Sequence, residues 1–277
     1  MSDKPLAMGR VALTVHDLDR VGDFYQRIVG LHRLRTDGSQ LDLGVGDTVL
    51  LELRRDPAAQ RRSPRDAGLF HTAFLLPSRT DLGAWARHAA ATRIPVVGAS
   101  DHGVSEAIYL ADPEGNGVEI YADRPASTWK WHEGMVEMSS DPLDIADLLD
   151  RTGAGTWRGF PAGATVGHVH LQVGAIPPAE AFHGGQLGFD ITCRYPGGTF
   201  YAADGYHHHL ATNIWNSRGA AARAEVSTGL ADVEIRVGPA RLAALLQRVG
   251  ADRAGVAMPD RVSLRDPWGT AITLVAA

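Results

Sequence analysis

Four short runs of apolar residues with strand-like character divide this chain into four similar segments. They begin near residues 10, 70, 168 and 232, and each precedes a segment with helical spacing of apolar positions and then further short strands. Two Asp-Pro-x-Gly turns, at Asp112 and Asp266, are the clearest internal match. The pattern predicts an α+β fold with four βαβββ units, two in each half of the chain.

The same pattern predicts the span of each element. Predicted helices cover residues 19–29, 82–92, 179–186 and 240–249. Predicted strands cover residues 11–15, 31–35, 40–44, 49–54, 69–76, 106–111, 118–122, 166–173, 189–195, 199–203, 206–215, 231–237, 262–266 and 271–276. We therefore expect an N-terminal domain over residues 8–123, a connector over 124–164 and a C-terminal domain over 165–277.

The connector is rich in Trp, Pro and Gly and contains one helix-like piece, over residues 142–150. A segment of this length with several tryptophans is expected to pack against the domains.

Composition and charge exclude several classes of function. The 277 residues carry a net charge of −5 and no Lys/Arg-rich run, which argues against nucleic-acid binding. Neither a signal peptide nor an apolar run of the ~18–20 residues that a membrane span needs is visible, so we expect a cytoplasmic protein without a membrane partner. The single cysteine, Cys193, is expected to be a buried apolar residue.

Four motifs carry a family resemblance over nearly the whole chain. They are Gly68-Leu-Phe-His-Thr-Ala-Phe74, Asp112-Pro-Glu-Gly-Asn-Gly-Val-Glu-Ile-Tyr121, Gly167-His-Val-His-Leu171 and Tyr206-His-His-His-Leu-Ala-Thr-Asn213. In order and spacing they resemble the vicinal oxygen chelate superfamily, and most of all its two-domain catechol 2,3-dioxygenases. The resemblance implies tandem domains whose paired units curl into half-barrel cups around a divalent metal.

In this superfamily the metal ligands lie on the first strands of two partner units and on the last strand of one of them. Pairing the units in chain order leaves both cups incomplete. Unit 1 has Arg10 where a histidine is expected, and unit 4 has Asp232 and Thr273. If unit 2 instead pairs with unit 3, one cup contains His71, Glu119 and His168, and the other is a pseudo-site without metal. This 2-His-1-carboxylate set would leave open positions on Fe(II), or on Mn(II).

Each ligand also has an ordinary structural interpretation. A lone histidine in an apolar strand, such as His71, is more often a core residue than a ligand. Glu119 could lie on a solvated face of its strand, although a buried carboxylate would need a counter-charge or a metal. The agreement at three separate positions favours the metal site over a degenerate protein without metal.

Three further residues are expected to act on the substrate. By resemblance His208 is the acid/base histidine, with His209 as the alternative, and strand alternation predicts that His207 and His209 face away from His208. Tyr109 and His102 resemble residues that bind substrate hydroxyls, and Tyr109 is expected to donate a hydrogen bond. A half-buried strand tyrosine and a solvated loop histidine are the alternatives for these two.

The resemblance implies extradiol cleavage of a catecholic ring, with a small aromatic substrate and O2 as partners. One alternative is a lyase or isomerase of the glyoxalase type, and another is a protein that binds a small aromatic molecule or antibiotic without catalysis. Exposed strand edges of such cups often pair with another subunit, so a homo-oligomer is compatible with the sequence.

Overall fold

Four βαβββ units form the protein in a computed structural model, which describes residues 6–151, 156–223, 226–249, 257–258 and 260–277. Unit 1 contains β1 (Ala7–Val15), α1 (Leu18–Phe24), a π-helical segment (Tyr25–Val29), β2 (His32–Thr36), β3 (Gln40–Val45) and β4 (Thr48–Arg55). Unit 2 contains β5 (Gly68–Leu75), α2 (Arg79–Thr92), β6 (Gly98–Asp101), β7 (Ser105–Ala111) and β8 (Gly117–Asp123).

The connector and the second half complete the element order. The connector holds a 3-10 turn (Ala126–Thr128), β9 (Trp131–His132), β10 (Met135–Val136), β11 (Asp141–Pro142) and α3 (Ile145–Arg151). Unit 3 contains β12 (Thr165–Gln172), α4 (Ile176–Glu180), a π-helical segment (Ala181–Gln186), β13 (Asp190–Tyr195), β14 (Gly198–Ala202) and β15 (Leu210–Asn213). Unit 4 contains β16 (Gly229–Val237), α5 (Pro239–Val249), β17 (Ala257–Met258), β18 (Arg261–Arg265) and β19 (Ala271–Ala276).

The strands form two large sheets, each of which takes one unit from each half of the chain. One sheet has the order β17-β18-β19-β16-β1-β4-β3-β2 and joins units 4 and 1. The other has the order β11-β6-β7-β8-β5-β12-β15-β14-β13 and joins units 2 and 3, together with β11 of the connector. This is the exchanged pairing that the distribution of histidines suggested. The domain limits at residues 8–123 and 165–277 remain a prediction.

The first helix differs in kind from its prediction. Asp17 caps it, with Oδ1 accepting a hydrogen bond from the Arg20 amide at 3.0 Å. The helix is α-helical only as far as Phe24 and continues as a π-helical turn that ends at Gly30, whose φ is +108°. Unit 3 repeats this change from α to π geometry, which the spacing of apolar residues did not reveal.

One strand was not predicted, and another was predicted too long. Residues 98–101 form β6, where no strand was predicted. The predicted strand over 206–215 is ordered only at Leu210–Asn213. Asp204 and Gly205 both have positive φ, at 59° and 75°, and this turn takes the chain out of β geometry until it rejoins the sheet at Leu210.

Alternation along the central strands separates the core from a concave face. Phe74 of β5 and Ile120 of β8 belong to the main hydrophobic core, which contains residues of all four units. Ala73 and Tyr121, their neighbours in sequence, lie in a separate small cluster. Successive residues of a strand point to opposite faces, so one face of this sheet holds the fold together and the other is available for polar residues.

Candidate active site

Three neighbouring strands bring two histidines and a carboxylate together in the middle of the nine-stranded sheet. His71 lies on β5, Glu119 on β8 and His168 on β12, and β5 is hydrogen-bonded to both of the other strands. Glu119 and His168 both pair with Ala73, two residues after His71. Residues two apart on a strand share a face, so the three polar side chains lie on the same face of the sheet as Ala73.

The ligand atoms are spaced as one divalent ion requires. His71 Nε2 lies 2.9 Å from Glu119 Oε2, and His168 Nε2 lies 3.3 Å from the same oxygen. Donors about 2.1 Å from one ion are about 3 Å apart where they meet at a right angle. Within the described part of the chain, these three residues are the only group of His, Cys, Asp or Glu whose ligand atoms converge, all within 4.8 Å of one another.

The charge state of the group also suits a metal. Burial opposes ionisation of Glu119, which is 2% exposed, but His168 and His71 outweigh this effect and hold the pKa of Glu119 well below its ordinary value. Burial lowers the pKa of His168, although Glu119 acts in the opposite direction. An ionised carboxylate and a neutral imidazole are the forms that bind metal ions.

Two buried atoms of this group have no hydrogen bond, His168 Nδ1 and His71 Nε2. His71 Nε2 lacks a partner although Glu119 Oε2 is 2.9 Å away. A neutral imidazole nitrogen that is not a donor presents a lone pair, and two lone pairs at this separation repel unless a cation lies between them. The residues present therefore fit a possible metal site of two histidines and one carboxylate, the set typical of non-haem Fe(II) sites.

Of the three consecutive histidines, His208 lies at the site. Its ring centroid is 4.1 Å from that of His168, and it lines the same cavity, whereas His209 does not. Burial and the neighbouring His168 lower the pKa of His208 well below its ordinary value. The expected strand alternation was wrong because these residues precede the strand, and Nδ1 of His207 lies only 2.7 Å from Nδ1 of His208.

Tyr109 and His102 form a hydrogen-bonded pair next to His71, with the Tyr109 ring centroid 5.6 Å from that of His71. His102 Nε2 is 2.6 Å from the Tyr109 hydroxyl, and His102 Nδ1 is 2.7 Å from the carbonyl oxygen of Ser139. A carbonyl oxygen only accepts, so Nδ1 carries the proton, and in neutral His102 the Nε2 atom accepts from Tyr109. Burial and Glu119 raise the pKa of Tyr109 well above its ordinary value, which keeps the phenol protonated.

All six residues selected from the sequence line or adjoin one cavity of about 260 Å³. Its remaining wall is mostly aromatic and apolar and comes from units 2 and 3 and from the connector, which packs against the sheet as predicted. These additional lining residues are Phe70, Ser100, Met138, Ser139, Ser140, His170, Tyr195, Phe200 and Trp215. Phe70 and Trp215 meet edge to face, with ring centroids 5.4 Å apart, and form a wall suited to an aromatic ring.

The groups that contact His208 and its neighbour His207 were not predicted from the sequence. His207 is fully buried, and its Nε2 lies 2.8 Å from Oδ1 of Asp123 at the end of β8. The Tyr206 hydroxyl donates to the other oxygen of Asp123 at 3.0 Å. Asp123 is 84 residues from His207, so no local pattern signals the contact. The unusual run of three histidines was the only available sign of a polar network.

The equivalent cup of units 1 and 4 contains an arginine in place of the histidines. Arg10 Nε lies 3.1 Å from Glu52, and Arg10 Nη1 lies 3.1 Å from Asp232. Glu234 is 4.0 Å from Arg10 Nε, and the Thr273 hydroxyl donates to Asp232 at 2.7 Å. The cup is therefore an ion-pair cluster, with the cation supplied by the protein itself.

Comparison with known proteins agrees with this architecture. The model of the glyoxalase/bleomycin resistance protein/dioxygenase superfamily matches residues 7–120. A Bacillus subtilis (strain 168) protein named catechol-2,3-dioxygenase is 41% identical over 232 residues, which cover 80% of each chain. The chain belongs to the glyoxalase/bleomycin resistance protein/dioxygenase superfamily.

Solved structures show the same fold at low sequence identity. A putative dioxygenase from Bacillus subtilis aligns over 99% of this chain and 86% of its own, with a TM-score of 0.66 and 13% identity. Glyoxalase I from Zea mays aligns over 99% and 93%, with a TM-score of 0.59 and 17% identity. Both structures share the α+β architecture of this chain.

Two other expectations concern features outside the site. Cys193 is buried and unpaired, and burial raises the pKa of its thiol, as expected for an apolar packing role. Across the described ranges, no helix combines the length and apolar character that crossing a bilayer demands.

Proposed function

We propose that this protein is an extradiol ring-cleaving dioxygenase that uses Fe(II) or Mn(II) to open a catecholic ring with O2. The observation that carries the proposal is the convergence of His71, Glu119 and His168 in one cavity with His208 and Tyr109. The 41%-identical relative named catechol-2,3-dioxygenase supports the same activity. The protein would then consume one O2 per ring and place both oxygen atoms in the product.

His71, Glu119 and His168 would hold the metal. When bound, the ion would supply Lewis acidity for the vicinal substrate oxygens and a template that brings the ring and O2 together. The buried carboxylate would offset part of the ion's charge. The three ligands come from adjacent strands of one sheet, so their spacing is set by the hydrogen-bonded register rather than by mobile loops.

His208 would accept the proton that a substrate hydroxyl loses, and would later return it. Its low pKa keeps the ring neutral and able to accept before the reaction. Tyr109 would bind a substrate hydroxyl from the opposite side. Where His102 accepts the Tyr109 proton, the Tyr109 oxygen would accept this hydrogen bond. The donation by Tyr109 that the sequence suggests stays a prediction.

The aromatic wall would hold the ring body. Between ring centroids, Phe200 lies 5.0 Å from His208 and Phe70 lies 5.0 Å from His170, so a phenylalanine ring lies beside each of these histidines. His170 accepts a hydrogen bond from Asn213 at 3.0 Å, and burial lowers its pKa well below the ordinary value. Neutral His170 would therefore complete the wall without adding charge.

The test is an oxygen-uptake assay with catechol and substituted catechols after anaerobic loading with Fe(II) or Mn(II). We expect uptake only with metal, and ¹⁸O₂ should place two labelled atoms in a product opened beside the two hydroxyls. The Glu119→Gln variant, similar in size but without the charge, is the matched control and should show no uptake. Failure of every catechol with fully loaded protein would contradict the proposal.

The same assay separates the competing functions. Turnover of a substrate under strict anaerobiosis would identify a lyase or isomerase of the glyoxalase type. That chemistry is disfavoured because β15, the last strand of unit 3, offers no carboxylate to the cup. Tight binding of an aromatic compound without turnover would identify a binding protein. The proposed partners are the substrate and O2, and the strand edges of the cups are compatible with a homo-oligomer. We propose a cytoplasmic location.

A further inference from the structure

A chain of hydrogen bonds connects Asp123 at the end of β8 with His208 in the cavity. Asp123 Oδ1 is 2.8 Å from His207 Nε2, and His207 Nδ1 is 2.7 Å from His208 Nδ1. His207 is completely buried and His208 is 4% exposed, so water does not compete for these contacts. Both nitrogens of His207 are therefore used within the protein.

The position of each proton follows from the acceptor at the start of the chain. An ionised carboxylate only accepts, so His207 Nε2 carries a proton, and in neutral His207 the Nδ1 atom is left with a lone pair. The 2.7 Å contact then requires a proton on His208 Nδ1. Neutral His208 has one proton, so its Nε2 atom is the lone-pair nitrogen, on the ring edge opposite His207.

Neighbouring residues fix the orientation of the side chains in this series of hydrogen bonds. The Tyr206 hydroxyl donates to Asp123 Oδ2, and since its proton is used there, it accepts from the Tyr121 hydroxyl at 2.9 Å. The His207 ring packs against Tyr206 and Trp129, with centroids 4.1 and 5.0 Å apart. These contacts hold the carboxylate and the imidazole plane in place, and the carboxylate itself sets the tautomer, as a second residue does for a catalytic histidine.

We propose that Asp123 and His207 are positioning residues that hold His208 in the Nδ1-protonated tautomer, with Nε2 free to take a proton from the substrate. The inference rests on the proposed function for the identity of that proton. In the step itself, the substrate O–H bond breaks, the proton forms a new N–H bond at His208 Nε2, and Nδ1–H remains donated to His207. A carboxylate that orients a histidine by the same logic is known from hydrolytic triads, where an Asp-to-Asn change produces the wrong tautomer.

The direct test is ¹⁵N NMR of histidine-labelled protein loaded with diamagnetic Zn(II), because neutral tautomers differ in the shifts of the two ring nitrogens. The His208→Gln variant assigns the His208 signals by their disappearance. Wild-type His208 should show a protonated Nδ1 and an unprotonated Nε2. The opposite tautomer in the wild-type protein would overturn the inference without the need for any further variant.

The Asp123→Asn variant tests the cause. Its amide can donate to His207 Nε2, which moves the His207 proton to Nδ1 and the His208 proton to Nε2. We expect this tautomer change in the NMR spectrum and a fall in kcat of about 100-fold or more, with KM and metal content unchanged. The control is Tyr206→Phe, which removes a hydrogen bond from the same carboxylate but should leave the His208 tautomer as it is.

Two results would contradict the role of Asp123. One is an unchanged His208 tautomer in Asp123→Asn, and the other is a changed tautomer with an unchanged kcat.

If Asp123→Asn does not fold, His207→Gln and His207→Leu replace it. The glutamine oxygen can still accept a hydrogen bond from His208 Nδ1, whereas the leucine side chain cannot. Activity should then survive better in the glutamine variant, and equal loss in both would count against the inference. Wild-type protein inactive with all catechols would refute the proposed function alone, because the tautomer is measured independently.

Discussion

The two cups of this protein share a fold but neutralise their buried carboxylates in different ways. Both place buried carboxylates on the concave face of a curled sheet. In the cup of units 2 and 3, Glu119 faces two histidines whose lone pairs suit a bound cation. In the cup of units 1 and 4, Arg10 supplies a fixed cation among Glu52, Asp232 and Glu234. The two cups thus share a fold and differ in the source of positive charge, which is a fixed arginine in one cup and a metal ion, if bound, in the other.

The largest effect is expected at Glu119. The Glu119→Ala variant should lose the metal and all ring-cleaving activity, because the two remaining histidines lose the only charged ligand. Metal analysis by mass spectrometry on protein purified without chelator measures this directly. Asp232→Ala, the matched change in the other cup, should retain the metal. Full metal occupancy in Glu119→Ala would refute the ligand assignment, and equal metal loss in both variants would show that the cups are not independent.

The second prediction concerns the fixed cation. Arg10→Met keeps most of the side-chain volume but leaves Asp232 without its arginine, whereas Glu52 and Glu234 keep other arginine partners. The free energy of unfolding should therefore fall by about 2 kcal/mol. Chemical denaturation followed by circular dichroism measures the change, and Arg10→Lys should recover part of it. If millimolar Mg²⁺ restores the stability of Arg10→Met and leaves the wild type unchanged, the arginine takes the place of an ion in this cup. An unchanged stability in Arg10→Met would contradict it.

Acid should lower the free energy of unfolding through the buried histidines of units 2 and 3. His183 is fully buried, and its two ring nitrogens make no hydrogen bond, so burial lowers its pKa from 6.5 to about 3. Between these two values the unfolded chain binds a proton that the folded chain does not, so stability falls as the pH falls. The contribution of His183 should approach 1.4 kcal/mol per pH unit between about pH 6 and 4.

The His183→Leu variant isolates this term, since leucine fills the site without a titrating group. The slope of unfolding free energy against pH should become smaller by about that amount in the variant. Thr273→Val, whose change lies in the arginine cup, is the reference and should keep the wild-type slope. Identical slopes in wild type and His183→Leu would show that the histidine does not carry the acid sensitivity.

The smallest effect is expected within the arginine cup itself. Thr273→Val removes the hydroxyl that donates to Asp232 at 2.7 Å and should cost about 1.5 kcal/mol of unfolding free energy. Metal content and activity should not change, because the cup takes no part in the proposed reaction. A loss of activity without a loss of stability would instead mean that the two cups communicate.

Local sequence pattern predicted the elements where one principle dominated. Alternation and turn residues located most strands of all four units, and the repeated Asp turns are alike in structure as well. Asp112 and Asp266 each accept from the amides two and four residues later, at 2.8 to 2.9 Å. Prediction was wrong where a turn overrode alternation, as after Asp204, and where a helix changed from α to π geometry, because neither depends on apolar spacing.

The sequence by itself determined the four-fold repeat and the residue types of the candidate site, since His71 and His168 stand on the first strands of units 2 and 3 and Glu119 on the last strand of unit 2. Tertiary structure decided which units pair, and so which residues meet: Glu119 and His168 both face Ala73 only because β5 lies between β8 and β12. It also placed Asp123 behind His207, and Glu52 and Glu234 beside Arg10. Such contacts join residues far apart in the chain through sheet register, which the short-range order of residues does not encode.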